Sequence, residues 1–313
     1  MATSSSSRVS GMILEDVFDL CRKDKGEIGK WLRRHEVIGN FQDMDCPSCH
    51  SGRLRLVKDA SYSKDGYCFK CCDRSCNKKV SIRKGSWFEG SHMTLEQVLK
   101  LSYMWVWKCD QQFIMRECRI GSTATIVDWC HFCREVCLTI LEEESQPIGG
   151  EGKVVEIDES KFGKRKYNKG RRVEGVWVFG GIERESKKCF MVPVEDRSSA
   201  TLLPIIHQYV LPGTKIMSDC WKSYSTLSEE GYIHGTVNHS IEFVNSETGD
   251  HTQTIESTWR AVKRSLPRGG TVKGMYESYF AEYMFRRQYL DDSEDRFISF
   301  LKQAAKVYKP HFD

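Results

Sequence analysis

Apolar positions in the front half of the chain recur at helical spacing. Residues 12–38 place apolar side chains three and four positions apart, which predicts helices with one buried face. Thr94 followed by Gln97 is a capping-box pattern, which predicts the start of a further helix. After Gly121, seven apolar side chains form a stripe about five turns long: Ile126, Trp129, Cys130, Cys133, Cys137, Ile140 and Leu141. Helix, glycine-containing turn and long helix are the outline of a helix-turn-helix.

The rear half changes to short apolar runs, which are typical of strands. Pro147, Gly149 and Gly150 mark the boundary after an acidic run at 142–144. Three runs, at 154–157, 176–182 and 189–194, predict a strand meander. The predicted elements that follow are helix 200–210, strand 215–218, helix 221–230, strand 233–237 and helices 255–266, 275–290 and 294–308. That order is typical of a ribonuclease H-like fold, so the predicted fold class is α/β.

Composition narrows the class of protein. The 313 residues suffice for about two domains, and 40% hydrophobic with 29% charged residues is ordinary for a globular protein. Apolar runs stay well short of the roughly 18 residues of a membrane span, so we expect no integral membrane protein. Residues 1–10 are polar and rich in serine, and Asp16 and Asp19 follow, so we expect no secretory signal. The 14 cysteines are therefore expected to be metal ligands and buried thiols rather than disulfides.

Six cysteines between residues 46 and 76 have the spacing of a zinc site. Cys46 and Cys49 form a CxxC pair, and four more cysteines follow within 68–76. Tetrahedral zinc takes four thiolates, and a pair at this spacing holds one ion through a tight turn. The predicted ligands of one structural Zn²⁺ in a zinc ribbon are Cys46, Cys49, Cys71 and Cys76, with Cys68 or Cys72 as alternatives to Cys71. The competing interpretation is a set of unrelated buried thiols.

Three further patterns in the front region favour plain structural roles. Residues 81–88 predict a strand and the turn that leaves it. Cys130 and Cys133 form a second CxxC pair, but both lie on the apolar stripe of the long helix, so we expect them to pack as core thiols. The helical core is also the expected place of three tryptophans: Trp105, Trp107 and Trp129.

Three carboxylates stand at the ends of predicted elements. Asp158 follows the apolar run 154–157, Asp219 follows the run 215–218, and Glu256 lies in the first turn of a helix. A carboxylate after a hydrophobic strand projects from the end of the sheet, where α/β folds gather their active sites. If the two strands are adjacent, Asp158 and Asp219 lie within reach of one ion, and Mg²⁺ prefers oxygen ligands. Two ions about 4 Å apart can serve phosphoryl transfer.

Each of these acids also has a plainer interpretation as a solvated loop residue or a helix cap. Nearby competitors are Glu156, Glu159 and Asp250. By strand alternation Glu156 faces the same side as Asp158, so it could support the site from behind. His251 could orient the substrate or the helix.

The motifs around the acids resemble the Merlin superfamily of DDE transposases. They read VVEIDESKF at 154–162, KRKYNKGR at 164–171, SDCWKSY at 218–224 and HTQTIESTW at 251–259. The intervals match as well, with 60 residues between Asp158 and Asp219 and 36 between Asp219 and Glu256. Bacterial insertion sequences with an ISXO2-like catalytic domain share the pattern. The resemblance runs from about Cys46 to Tyr289 and includes GSWF at 85–88 and EYMFRR at 282–287.

This resemblance implies a cut-and-paste transposase with a zinc ribbon and a ribonuclease H-like catalytic domain. The enzyme would bind terminal inverted repeats of double-stranded DNA, cleave at element ends and transfer the 3′ ends to target DNA. The matching positions for the residues that hold two Mg²⁺ or Mn²⁺ ions are Asp158, Asp219 and Glu256. The resemblance also implies a homodimer or larger assembly on DNA, and work in the nucleus if the host is eukaryotic. The alternatives are a domesticated DNA-binding protein without transposition and a metal-dependent nuclease without strand transfer.

A net charge of +4 is too small to identify a nucleic-acid binder, but the cations are clustered. Seven lie in twelve residues directly after Asp158: Lys161, Lys164, Arg165, Lys166, Lys169, Arg171 and Arg172. A loop leaving the catalytic strand is well positioned to follow a phosphate backbone, although a solvated loop is the plainer interpretation. Arg260, Lys263 and Arg264 could contact the same DNA strand from the helix of Glu256, or form an exposed helix face.

The long helix of the helix-turn-helix outline begins with polar residues, where a recognition helix reads bases: Ser122, Thr123, Thr125 and Asp128. No cation lies among them, so a purely structural helix is the alternative. The predicted organisation is a lead with helices at 1–40, a zinc ribbon at 41–88, a helix-turn-helix-like region at 89–146, a catalytic domain at 147–290 and a C-terminal helix at 291–313.

Overall fold

The computed structural model of the chain describes residues 11–163, 175–237, 251–267 and 273–310. The chain divides into two units, one of Met1–Ile140 with Tyr289–Asp313 and one of Leu141–Gln288. Within the described ranges, no helix combines the length and the apolar character needed to cross a membrane.

The first unit begins with two short helices, α1 (Leu14–Arg22) and α2 (Lys25–Arg34). Asp24 separates them, because its side chain caps α2 by accepting a hydrogen bond from the Gly26 N–H at 2.7 Å. The helical stretch predicted at 12–38 is therefore two helices. An antiparallel sheet follows, with strands in the order β1 (Leu54–Lys58), β2 (Tyr67–Cys71) and β3 (Lys79–Ser81).

The strand predicted within 81–88 is wrong beyond Ser81, because the residues after it form turns. Arg83 is buried and donates to both carboxylate oxygens of Asp65, each at 2.6 Å, and to the Met93 carbonyl at 2.9 Å. Gly85 has φ = 70°, in the left-handed region that glycine reaches without strain. The ion pair and the glycine turn the chain out of the sheet.

Three helices follow: α3 (Leu95–Val106), α4 (Gln111–Glu117) and α5 (Thr123–Glu144). The capping box is confirmed, since the Thr94 hydroxyl accepts from the Gln97 N–H and the Gln97 side chain accepts from the Thr94 N–H. Cys130 and Cys133 are buried, as predicted for thiols that pack in the core. Trp105 and Trp129 are each 5% exposed, but the prediction for Trp107 is wrong, because it is 48% exposed at the C-cap of α3.

The second unit is built on a five-stranded mixed sheet, and the α/β prediction is confirmed. Outside this sheet, a short strand β4 (Ile148–Gly149) pairs in parallel with a second two-residue strand further along the chain. The sheet's first three strands form the predicted antiparallel meander: β5 (Val154–Phe162), β6 (Val176–Glu183) and β7 (Cys189–Val194). Helix α6 (Ser199–Tyr209) and the short strand β8 (Val210–Leu211), which is the partner of β4, come next. Two strands parallel to β5 then complete the sheet: β9 (Lys215–Asp219) and β10 (Ile233–Val237). The strand order is β10-β9-β5-β6-β7.

Apolar side chains cover both faces of this sheet. On one face Val155 and Ile157 of β5 pack in a cluster with Leu202 of α6. On the other, Phe162 packs with Trp259 of α7 (Gln253–Ser265) and Phe280 of α8 (Tyr276–Phe285). Odd residues of β5 therefore face α6, and even residues face α7.

The helix predicted at 221–230 is wrong, because the chain makes only a single 3₁₀ turn at Lys222–Tyr224 and further turns up to Gly231. The Trp221 N–H donates to Asp219 Oδ1 at 2.9 Å, which holds the start of the segment to the end of β9. Tyr224 and Leu227 are both fully buried three positions apart, a spacing that successive tight turns satisfy as well as a helix does.

The last elements agree with the predicted helices over 275–290 and 294–308. Helix α8 runs into a π-helical turn at Arg286–Leu290, and α9 (Arg296–Val307) belongs to the first unit. In that unit, Phe297 packs edge-on against Tyr103, and Phe300 lies against Trp105.

Candidate active site on two parallel strands

The pairing of β5 with β9 determines where two of the predicted acids lie. The strands are parallel, and their register runs from Val154 opposite Lys215 to Glu156 opposite Met217. The same register continued by two residues reaches Asp158 and Asp219. Both acids therefore lie at the same end of the β5–β9 pair, as the sequence predicted for adjacent strands. The strand end predicted at 157 is wrong, because pairing with β6 continues β5 to Phe162 and leaves Asp158 within the strand.

Asp158 carries the strongest electrostatic perturbation of these acids. Burial raises its pKa to about 7, and the negative charges of Glu159 and Asp219 add to the rise. The Trp259 indole N–H donates to Asp158 Oδ2 at 3.1 Å, which partly offsets the effect. The Asp158 carboxyl group is therefore about half protonated near neutral pH, and a nearby positive charge would favour its ionised form.

Glu159 points to the opposite face of β5 and joins the same electrostatic cluster. Burial raises the pKa of Glu159, and the charge of Asp219 acts in the same direction. The Tyr224 hydroxyl donates to Glu159 Oε1 at 2.5 Å, and the charge of Arg197 lowers the pKa. The sequence predicted Glu159 as a competitor of Asp158, and the structure gives it a hydroxyl donor on the α6 side.

A glycine makes room for the tryptophan that reaches Asp158. Gly180 of β6 lies directly opposite Asp158 in the antiparallel pair. A Cβ atom at position 180 would come within 2.6 Å of Trp259 Cη2 and 2.8 Å of the Phe190 carbonyl oxygen. The missing side chain therefore lets the Trp259 ring lie on the sheet beside the acid.

Helix α7 runs along β5 in matching register. Three contacts join them: the Ile255 N–H donates to Glu156 Oε2 at 2.9 Å, the Trp259 indole to Asp158, and Lys263 Nζ to Ser160 Oγ at 2.7 Å. Four helical residues rise about 6 Å and two strand residues about 6.7 Å, so the steps of the two elements nearly coincide. Glu256, next to Ile255, is thereby held near the acids of the sheet.

Glu156 fixes the start of α7. It is fully buried, receives Arg184 Nε at 2.7 Å and accepts from the Ile255 N–H, while Thr252 at the N-cap makes no side-chain capping bond. A carboxylate at a helix N-terminus satisfies an unpaired N–H and favours the helix dipole. The sequence predicted that Glu156 could support the site from behind. In the structure Glu156 lies on β5 and caps the N-terminus of α7.

His251 lies in the same cluster. Its carbonyl accepts from the Arg184 guanidinium at 2.6 Å, and its Nδ1 lies 3.4 Å from Glu156 Oε1 without hydrogen-bond geometry. These contacts lie at the start of α7. They agree with an orientation of this helix by His251, which is one of the two roles that the sequence allowed.

Replacing Glu156 with alanine is expected to lower the free energy of unfolding by about 3 kcal/mol, because Arg184 and the Ile255 N–H lose their partner inside the fold. Glu156→Gln keeps an acceptor and should cost about 1 kcal/mol. Urea denaturation measures both.

The matched control is Glu185→Ala, which breaks the ion pair with Lys153 in the same unit, where the Glu185 side chain is 69% exposed. We expect a change within about 0.5 kcal/mol. Equal losses for Glu156→Ala and Glu185→Ala would contradict the capping role.

Glu256 lies one helical turn before Trp259. Its Oε1 accepts from the Thr252 hydroxyl at 3.3 Å, and the residue is half-buried. Within the described ranges, three or more potential ligand atoms gather within 4.8 Å at the cysteines of the first unit and not at the acids. The structure thus brings Asp158 and Asp219 to one end of the β5–β9 pair and Glu256 to the helix over it, in a spread arrangement.

The predicted cations divide into described and undescribed positions. Asp250 lies outside the described residues. So do six of the predicted cations: Lys164, Arg165, Lys166, Lys169, Arg171 and Arg172. Arg260 and Arg264 are exposed on α7, and Lys263 stands over Ser160 and the Phe162 ring. Lys161 lies with its Nζ 5.3 Å from the centre of the Trp177 ring.

The four cysteines that the sequence selected lie together. Their sulfurs are all within 4.8 Å of one another, with 3.6 Å between Cys46 and Cys76 and 3.7 Å between Cys49 and Cys71. Four sulfurs about 2.3 Å from a tetrahedral ion are about 3.8 Å apart, so the donor set fits zinc. Cys68 is buried in β2 and Cys72 is exposed, and neither belongs to the cluster.

Backbone groups shape this cysteine cluster. The Ser48 N–H donates to Cys46 Sγ at 3.4 Å, and the Gly52 N–H to Cys49 Sγ at 3.3 Å. The bond from Gly52 contributes most to lowering the pKa of Cys49 to about 6, whereas burial raises the pKa of Cys71 to about 12. A Cβ at position 52 would lie 2.4 Å from Cys71 Sγ, so glycine is required for the close approach.

The start of α5 has the opposite electrostatic character to a DNA-reading helix. Ser122, Thr123 and Asp128 are exposed and Thr125 is half-buried. Thr125 and Asp128 line a groove with two further acids, Glu89 and Glu135. An acidic groove repels phosphate, so it favours the structural alternative for this helix.

Sequence reasoning missed residues whose roles arise from distant contacts. Trp259 appears only as the last letter of a motif, although its spacing of three from Glu256 could have indicated a shared helix face. The contacts of Gly180 and Arg197 join positions far apart in the chain, and no local pattern signals them.

Comparison with known proteins gives two kinds of match. Residues 142–291 match the family described as the ISXO2-like transposase domain. An uncharacterized transposase-like protein of Haemophilus influenzae is 35% identical over 121 residues, which are 38% of this chain and 94% of that protein.

Matches to solved structures are much weaker. The HTLV-2 integrase catalytic core domain in complex with magnesium, in its dimeric form, is 11% identical over 44% of this chain and 86% of that chain, with a TM-score of 0.27. The catalytic core domain of BIV integrase is 11% identical over 51% of this chain and 86% of that chain, with a TM-score of 0.26. The fold class therefore rests on the observed strand order and not on these matches.

Proposed function

Because the chain belongs to the family of ISXO2-like transposases, we propose that it is a cut-and-paste DNA transposase. It binds terminal inverted repeats, cleaves DNA at the element ends and transfers the 3′ ends to target DNA. The observation that carries the proposal is the parallel pairing of β5 with β9 inside the matched residues, with Asp158 and Asp219 at the same end of the pair. The strand order β10-β9-β5-β6-β7 supports a ribonuclease H-like domain, and the motifs support the Merlin superfamily.

The acids are proposed to hold two Mg²⁺ or Mn²⁺ ions. Burial, Glu159 and Asp219 raise the pKa of Asp158 to about 7, so the site gains from added positive charge. Asp158 and Asp219 would supply carboxylate oxygens from the sheet and Glu256 a third from α7, and oxygen is the ligand type that Mg²⁺ prefers. The chemistry such ions supply is activation of an attacking oxygen and stabilisation of the leaving one.

Each residue of the proposed site has a separate role. Asp158 and Asp219 bind the ions from the sheet, and Glu256 completes the site from α7. Trp259 orients the Asp158 carboxylate through its indole N–H. Glu156 positions α7, and with it Glu256, through the Ile255 N–H.

DNA binding is proposed for the cationic surfaces of the second unit. Arg260 and Arg264 are exposed on the helix of Glu256, and Lys161 follows Asp158 on β5. Phosphate contacts of this kind position DNA without reading its sequence. The cysteine cluster is proposed to hold one structural Zn²⁺, and the active form on DNA to be a dimer or larger assembly of this chain.

The test is a reaction of the purified full-length chain with its DNA. The DNA flanking the gene is searched for inverted repeats, and a linear fragment with both ends is incubated with the protein, Mg²⁺ and a target plasmid. The expected products are fragments cut at the repeats and joined to the plasmid through their 3′ ends.

Each alternative has its own outcome in the same reaction. Binding without cutting, at any Mg²⁺ or Mn²⁺ concentration, would support a domesticated DNA-binding protein. Cut fragments without joined products would support a nuclease without strand transfer. Either result would overturn the cut-and-paste proposal.

A further inference from the structure

Beside the proposed acids, an arginine is stacked between two tryptophans. The Arg197 guanidinium carbon lies 4.3 Å from the centre of the Trp177 ring and 4.4 Å from that of the Trp221 ring. On Trp177, Lys161 Nζ adds a second cation at 5.3 Å. Guanidinium groups stack well on indole rings because their planar charge meets the negative face of the ring.

Hydrogen bonds tie this stack to Asp219. The Arg197 carbonyl accepts from the Trp221 indole N–H at 3.1 Å and from the Ser223 hydroxyl at 2.8 Å. The Trp221 backbone N–H donates to Asp219 Oδ1 at 2.9 Å. The position of the Trp221 ring is therefore fixed relative to one of the acids, and the same contacts displace the helix predicted at 221–230.

The stack leaves an aromatic surface open. Trp221 is 39% exposed although Arg197 covers part of it, which is unusual for a tryptophan whose backbone and indole are both held in place. A groove beside it is lined by Lys222 and by the hydroxyl-bearing Ser198 and Ser199. Within the described part of the chain, no hydrogen-bond acceptor binds the guanidinium of Arg197.

A buried hydroxyl in the same groove is also unsatisfied. Thr226 Oγ1 has no hydrogen-bond partner among the described residues and lines the groove with Lys222. The groove thus combines a flat aromatic face, guanidinium donors, an ammonium group and hydroxyls with one carboxylate, that of Glu230, which lies 3.1 Å from His207 Nε2. A nucleotide strand has the matching chemistry, with a base to stack and phosphates that accept hydrogen bonds.

We propose that Trp221, held by Arg197, is a stacking platform for an unpaired base of the DNA strand that enters the site at Asp158 and Asp219. The base must be unpaired, because a side chain beside a duplex cannot reach a base face inside the stack. Arg197 and Lys222 contact the neighbouring phosphates. This inference rests on the proposed function, since it assigns Trp221 to the same DNA.

The test measures binding to two single strands that carry the same phosphates. One is a short oligothymidine, and the other is the same strand with abasic residues. Wild-type full-length protein should bind the oligothymidine about tenfold more tightly, because stacking on an aromatic side chain is sequence-tolerant. Trp221→Ala should bind both strands equally, and Trp221→Phe should retain most of the preference.

The matched control is Trp107→Ala in the first unit. Trp107 is also an exposed tryptophan with an arginine on its ring, since the Arg296 guanidinium carbon lies 5.2 Å from the ring centre. Its loss should leave the preference for oligothymidine unchanged. Thermal unfolding of each variant checks that the fold is intact, and Trp221→Phe provides the comparison if Trp221→Ala fails to fold.

The results separate this inference from the proposed function. If Trp221→Ala keeps the tenfold preference, or wild-type protein shows none, the stacking platform is overturned. Cleavage and joining of element ends by the wild-type protein test the proposed function independently of that result. Loss of the preference in Trp107→Ala alone would assign base stacking to the first unit and would also overturn the inference.

Discussion

Replacing Asp158 with asparagine is expected to lower cleavage of element ends by about 10³-fold or more, while binding of the same DNA changes less than about twofold. Asparagine has the shape of aspartate and still accepts from the Trp259 indole, so the site keeps its geometry. It lacks the charge that the ions require. Gel assays of cleavage and of binding, run on the same preparation, measure the two effects.

Glu185→Gln is the control for this substitution. It makes the same change from carboxylate to amide beyond the opposite end of the β5–β6 pair, where Glu185 meets Lys153. Its cleavage rate should stay within about twofold of wild type. Cleavage by Asp158→Asn at the wild-type rate would contradict the assignment of Asp158 to the active site with Asp219 and Glu256.

The same variant should be the more stable protein when no Mg²⁺ is added. The pKa of Asp158 is about 7 in the fold and about 3.9 in an unfolded chain. The folded chain therefore retains a proton that the unfolded chain releases, so the contribution of Asp158 to wild-type stability falls as pH rises from about 4 to about 7. Above that range Asp158→Asn should be more stable by about 4 kcal/mol, and below pH 4 the difference should vanish. Urea denaturation at pH 4 and pH 8 measures both differences, and an equal difference at the two pH values would contradict the raised pKa.

Replacing Cys46 with serine is expected to remove zinc from the chain and to unfold the segment around the cysteine cluster. Binding of a structural zinc ion contributes about 10–16 kcal/mol in small zinc-dependent domains, more than a sheet of three short strands supplies by itself. The zinc content should fall from about one ion per chain to nearly none, as measured with a chelating dye after denaturation. Limited proteolysis should then cut within 41–88.

Cys72→Ser is the matched control, because Cys72 is adjacent to Cys71 in the chain but exposed and outside the cluster. It should retain its zinc and its resistance to protease. If Cys46→Ser binds as much zinc as wild type, the cluster is not the zinc site.

The positions of Asp158 and Asp219 could be predicted because they depend on local patterns. Each follows an apolar run, and parallel strands that lie side by side bring their ends together. The alternation of β5 likewise predicted that Glu156 shares a face with Asp158. Its partner on α7, Ile255, lies 99 residues away in the chain, and no periodicity reports a contact of that span.

The helix predicted at 221–230 shows why other elements could not be predicted. The spacing of Tyr224 and Leu227 suits a helix as well as a chain of turns. Hydrogen bonds to the Asp219 carboxylate and the Arg197 carbonyl decide between them, and both depend on the completed sheet. The exposure of Trp107 was also not predicted, because α3 ends at Val106 and Trp107 lies at its C-cap.

Gly180 is under a tighter evolutionary constraint than Trp259. Any side chain at position 180 would strike both a movable ring and the fixed Phe190 carbonyl, so a rotation of Trp259 alone cannot make room for it. A lineage that loses the glycine must also rebuild the backbone of β7, and one that loses the tryptophan leaves Asp158 without its indole donor. Relatives of this protein should therefore keep the glycine even where the tryptophan is replaced, and keep the tryptophan only where the acid at position 158 is kept.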